Sequence, residues 1–264
     1  MIRFLTLATC LFLVSPVSGQ SVFPRDVTQG VSIDQKMGAR VPLDLEFKNE
    51  LGETVRLGDY FGDRPVVLTP VYYSCPMLCN LVLDGLVRTT RNLKFDIGDE
   101  YEVVTVSFDH SESPEMALAK KGVYTKRYGR PGVEAGWHFL TGDQLAIRAL
   151  METVGFGYEY DAIQDQYAHA AAIIVLTPDG RISRYFYGFE YNARDLRLGL
   201  VEASDGQVGS AIDQVLLLCY SYDPATGKYS RVAMNVVRVG GTLTAASIFG
   251  FIFLMVRREK KRRA

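Results

Sequence analysis

The sequence predicts a three-layer α/β domain with a mixed central sheet, followed by a C-terminal transmembrane helix. Three observations carry this reading. Strand-like and helix-like segments alternate between residues 66 and 202, the pattern of an α/β fold. The turn Pro178–Asp179–Gly180 joins two β-rich runs into an antiparallel hairpin, so the sheet is mixed. Residues 239–256 hold no charged side chain and lead straight into RREKKRR.

The elements follow in order. Residues 1–19 place one basic residue, an apolar stretch over 4–14 and then small residues, the layout of a cleaved secretory signal peptide. Cys10 leaves with it. Residues 20–37 show no clear period and read as a linker. Residues 53–57 suggest a short strand. VVLTPVYY (66–73) is a buried strand whose flaw is Pro70, which lacks a ladder donor and predicts a bulge. Residues 79–93 space Leu81, Val82, Leu86 and Leu93 as a helix does. Residues 101–108 form a strand ending at Asp109. Ser113 and Pro114 open a helix to about residue 128, stopped by Gly129–Arg130–Pro131–Gly132. A short strand at 137–140, a helix at 144–154, the hairpin strands 171–176 and 181–187, and a helix at 192–202 complete a domain placed at 38–204. Residues 205–234 are an appended segment holding Cys219 and the turn-rich 223–227.

At 1.5 Å per helical residue, the 18 residues from 239 to 256 reach roughly 27 Å, enough for one span. The whole anchor is drawn as 235–256, with a basic tail at 257–264. The positive-inside rule puts that tail in the cytoplasm and the domain outside it, periplasmic or extracytoplasmic.

The 264 residues are 48% hydrophobic and 22% charged, which excludes a disordered chain. A net charge of −1 argues against nucleic-acid binding. That charge is unevenly placed: the last eight residues carry +5, leaving −6 on residues 1–256. Four cysteines are too few for a disulfide-dense scaffold.

The chemistry points to Ser74–Cys75–Pro76–Met77–Leu78–Cys79. Two thiols four residues apart follow a buried strand and open a helix. If the helix begins near Pro76, both sulfurs lie by its N-terminus, where the macrodipole favours thiolate, and one turn apart on one face. Thioredoxin's pair has one residue fewer between its cysteines. The wider spacing suits metal binding better than rapid disulfide exchange, without excluding exchange. Two unrelated buried cysteines are the plain alternative.

At VYYSCPMLC the chain resembles the SCO/SenC copper-chaperone family, as it does at SFD, FLTG and AHAAAIIVLTPDGRISRYFYG. The resemblance covers roughly residues 38–204. It implies a thioredoxin-like fold and a role in assembling the binuclear copper centre of cytochrome c oxidase subunit II. It further implies one copper ion per chain on Cys75, Cys79 and His169, with Asp109 as a secondary candidate. The sequence departs from the family in its C-terminal rather than N-terminal anchor, in His110 where Pro is usual, and in Pro70.

Two thiolates and an imidazole suit Cu(I), with Cu(II) able to add a water or carboxylate. Structural zinc normally takes four protein ligands, and no fourth is evident. Met77 could add a soft ligand but reads as a packing residue. His110 reads as a solvent-exposed loop residue, His138 as structural beside Trp137, and Cys219 as buried and inert. The expected function is copper delivery to oxidase subunit II or another copper protein, rather than enzymatic turnover. The competing reading is a thiol–disulfide oxidoreductase that keeps a partner's copper-ligand cysteines reduced. It would need Cys75 and Cys79 as its redox pair but not His169. A copper or redox sensor is the third.

Overall fold

The computed structural model describes residues 30–75 and 77–208, two dipeptide strands at 222–223 and 228–229, and a discontinuous set of positions between 241 and 262. The signal, the 20–29 part of the linker, Pro76, Cys10 and Cys219 lie outside the described residues, as does most of the predicted span. Among the described residues no helix is long and apolar enough to cross a membrane.

The domain opens with an antiparallel pair, β1 (Glu46–Lys48) and β2 (Thr54–Arg56), followed by a 3-10 turn at Leu57–Tyr60. Then come β3 (Val66–Val71), α1 (Leu78–Thr90), β4 (Glu102–Ser107), α2 (Pro114–Tyr128), the single turn α3 (Val133–Gly136), β5 (Trp137–Leu140) and α4 (Gln144–Thr153). A hairpin of β6 (Tyr158–Asp161) and β7 (Gln166–His169) precedes β8 (Ala172–Leu176), β9 (Ile182–Tyr187) and α5 (Ala193–Ser204). The short strands β10 (Tyr222–Asp223) and β11 (Lys228–Tyr229) pair with each other.

The central sheet has five strands in the order β5-β4-β3-β8-β9. β3, β4 and β5 run parallel, and β8 and β9 join them antiparallel. The mixed sheet expected from the sequence is therefore present. β3 and β8 are buried at every residue, which their continuous apolar runs require of strands covered on both faces. α1 packs on α2, α2 on β5, and α5 on β8 and β9. α1 can approach the segment after β9 because Gly85 has no side chain: a Cβ there would lie 1.9 Å from the Phe189 carbonyl oxygen.

Pro70 does not make a bulge. It stays in register opposite Val106 of β4. The carbonyls of Pro65 and Val71 accept from Glu102 and Phe108 N–H, so the odd-numbered residues of β3 bond to β4. The even-numbered ones face β8, and there the ladder stops at Leu68 opposite Ile174. Pro70 would be the next bonded position, and it has no N–H to give. The irregularity instead falls in the β8–β9 pairing, where Val175 faces Arg184 and Leu176 faces Ile182, so Ser183 of β9 is the extra residue, beside the turn where Gly180 adopts φ +83°.

Candidate metal centre

β3 runs into the cysteine loop, and α1 begins just after it. Helix α1 starts at Leu78 rather than near Pro76, and its N-cap, Met77, makes no side-chain capping bond. The sulfur of Cys75 supplies the missing acceptor, taking the Cys79 N–H at 3.3 Å. A side chain outside the helix thus satisfies one of the unpaired amides of the first turn. Cys79 Sγ accepts the Tyr72 N–H, also at 3.3 Å. The Asn80 amide donates to the Cys75 carbonyl at 3.1 Å and is itself held by Lys120 at 2.7 Å.

His169 arrives from the end of β7, 90 residues further along. Its Nδ1–H donates to the Ala170 carbonyl at 2.7 Å, because a carbonyl can only accept. In the neutral ring this leaves the Nε2 lone pair facing the sulfurs, 3.4 Å from Cys79 Sγ. Phe108 and Tyr72 pack on the ring at centroid distances of 5.1 and 5.8 Å. The donor atoms of Cys75, Cys79 and His169 all lie within 4.8 Å of one another. All three residues are buried, at 5%, 1% and 8% exposure.

The loop has a second anchor. Glu112 is buried, and its carboxylate spans two successive amides. Tyr73 N–H donates to Oε2 and Ser74 N–H to Oε1, each at 2.6 Å, and Ser107 Oγ adds a third bond at 2.6 Å. Three hydrogen bonds offset the desolvation of the charge.

The two thiols are strongly unequal. The hydrogen bond from the Cys79 thiol brings Cys75 down to about 3, against burial, with the amides of Cys79 and Met77 adding to the fall. Burial, then the hydrogen bond to Cys75, pushes Cys79 well up. A depressed thiol is thiolate at every pH above its own value, whereas an ordinary one ionises only near pH 8.5. Alkylation of Cys75 by iodoacetamide is therefore expected to keep one rate from pH 5 to pH 8, with Cys79 unlabelled. Peptide mass spectrometry after timed quenching checks this. A Cys75 rate climbing tenfold per pH unit would contradict it.

A profile described as SCO1/SenC matches residues 34–200. The chain belongs to the SCO1/SenC family. Direct comparison with curated proteins finds no match. Among solved structures, a candidate electron transfer protein of Aquifex aeolicus VF5 is 24% identical, with a TM-score of 0.57 over 65% of this chain and 96% of that one. A SCO1/SenC family lipoprotein of Bacillus anthracis str. Ames is 14% identical, with a TM-score of 0.52 over 64% and 98%. BsSco, described as a member of the Sco family of cytochrome c oxidase assembly proteins with a disulfide switch, is 20% identical, with a TM-score of 0.51 over 66% and 98%. These likenesses fix the fold.

In this SCO1/SenC chain the three residues expected as ligands are brought together. Asp109 is not among them: its carboxylate accepts from the Ser111 N–H at 2.9 Å and the Ser111 hydroxyl at 2.7 Å. Met77 is 69% exposed, so it does not pack as expected. His110 is exposed, and His138 packs on Tyr60 at a centroid distance of 4.2 Å with the rings tilted by 38°, and lies 3.4 Å from Glu102, which fits a structural role. The sequence reading missed Glu112, whose partners Tyr73 and Ser74 lie 39 and 38 residues upstream.

Proposed function

We propose that this protein is an exported copper chaperone. A C-terminal helix tethers it, and it delivers copper to, or prepares, the binuclear centre of cytochrome c oxidase subunit II or another copper protein. The observation that carries the proposal is the convergence of Cys75, Cys79 and His169 within 4.8 Å in a SCO1/SenC chain. The donor set fits the cargo. Two sulfurs and one imidazole are ligands that suit Cu(I). Thiolate and imidazole ligands sit roughly 2.0–2.3 Å from a bound ion, so the three atoms need to draw together by about 1 Å at most. The ring tautomer is already the one that presents Nε2. A three-ligand site leaves one side open, and a partner's thiolates and imidazoles can replace these ligands in turn. Oxidation of the pair to a disulfide removes two of the three donors, which makes delivery redox-dependent.

The unequal thiols favour a second reading. The Cys75 thiolate can attack a partner disulfide, forming a mixed disulfide and releasing one partner thiol. Cys79, on losing its proton, then attacks Cys75 Sγ. This closes the Cys75–Cys79 disulfide, frees the second partner thiol and passes two electrons to the partner.

The substitution His169→Ala separates the readings. Copper analysis of the reduced full-length chain is expected to give one ion per chain, lost in the variant, while exchange with a small-molecule disulfide continues. Full copper retention without His169 would remove the imidazole from the site, and no copper uptake by the reduced parent, with exchange intact, would leave only the oxidoreductase reading.

A further inference from the structure

Next to the buried sulfurs and imidazole lies an open cleft of about 890 Å³. Tyr72 and Phe108, which pack on His169, also line it, so the cleft and the metal centre share one wall. Rings continue that wall outward. Tyr72 contacts Tyr167 at a centroid distance of 5.6 Å, and Tyr167 contacts Tyr160, half exposed at the rim, at 5.2 Å.

The lining is strongly one-signed. Asp109, Glu152, Glu159 and Asp165 face a single guanidinium, that of Arg148. None of these four carboxylates is in an ion pair among the described residues, whereas other carboxylates of the domain, such as Glu50, Glu102 and Asp96, are paired. An acidic cleft walled by tyrosine faces fits lysine and arginine side chains, whose stems lie along rings while their charges meet carboxylates. It repels anions, and its volume far exceeds a lone ion.

We propose that this cleft is a docking groove for an extended, basic segment of the partner protein, which brings the partner's own ligands up to the buried centre. The inference rests on the chaperone reading above and deepens it. Direct access to the centre is poor, since each donor residue is less than a tenth exposed. A partner therefore has to be held alongside while ligands change hands.

The test uses the full-length chain in detergent and two fluorescein-labelled octapeptides, one alternating Lys with Gly and the other Glu with Gly. The expected result is saturable anisotropy with the lysine peptide alone. The double substitution Glu152→Gln/Glu159→Gln, which removes two exposed carboxylates, should weaken it about fivefold, as two surface charge contacts would. Glu46→Gln/Asp63→Asn makes the same change in net charge away from the cleft and should leave binding unaltered. Equal weakening by both pairs, or by neither, would overturn the groove. So would sedimentation showing that the cleft pair changes only self-association. Cu(I) titration of the same samples keeps the two proposals apart. Peptide binding that depends on the cleft in a chain that takes up no copper would refute the chaperone reading alone. Normal copper uptake with binding indifferent to the cleft would refute the groove alone.

Discussion

Replacing Cys75 with serine is expected to lower Cu(I) affinity at least ~100-fold, since losing only an outer partner of a ligand already costs about 10–100-fold. The fold should scarcely notice. The Cys75 sulfur also accepts the Cys79 N–H where α1 begins, and a serine hydroxyl can accept the same bond. One acceptor replaces another, so the expected change in unfolding free energy is under about 1 kcal/mol. Competition against a chromophoric Cu(I) chelator reads the first quantity, and urea unfolding of the metal-free chain reads the second. Copper affinity kept within threefold of the parent would remove Cys75 from the centre.

The second large effect belongs to Glu112→Gln. Both carboxylate oxygens are in use, one on Ser74 N–H and the other on Tyr73 N–H and Ser107 Oγ. Glutamine keeps one oxygen and turns an NH₂ donor towards an amide donor, the part-buried Ser74 N–H when the oxygen stays on Tyr73 and Ser107. That N–H loses its acceptor and the loop loses a charge-assisted bond, together costing about 1.5–3 kcal/mol. The loop so loosened is the one that presents Cys75, and Cu(I) affinity should fall roughly tenfold with it. An unchanged urea midpoint would show that the carboxylate does not hold the loop.

Much of the framework was legible because burial is periodic. The runs that became β3, β4, β5, β8 and β9 are apolar enough to be read as strands, and Ser113–Pro114 marks the start of α2 to the residue. The cysteine pair announced itself by spacing and by its place between a strand and a helix. His169 was found through its family context rather than by any local signal. The β6–β7 hairpin was missed because its residues 158–169 are mostly half-exposed and charged or aromatic by turns, with neither face cleanly apolar. Asp165, the one described non-glycine residue at positive φ (52°), marks its turn. β1 and α3 were missed because three or four residues carry no period. Glu112 was missed because charge ordinarily means exposure, and what buries it is contacts nearly forty positions away.

Pro70 takes on meaning once the centre is located. Were an N–H present there, the two middle strands could zip one step further, joining positions 70 and 172. The chain reaches the first sulfur five residues beyond one of those positions and leaves the imidazole three residues before the other. A single imino acid thus acts as a zipper stop: it keeps two neighbouring ribbons forked at one end, and the three donor atoms gather in the crotch of that fork.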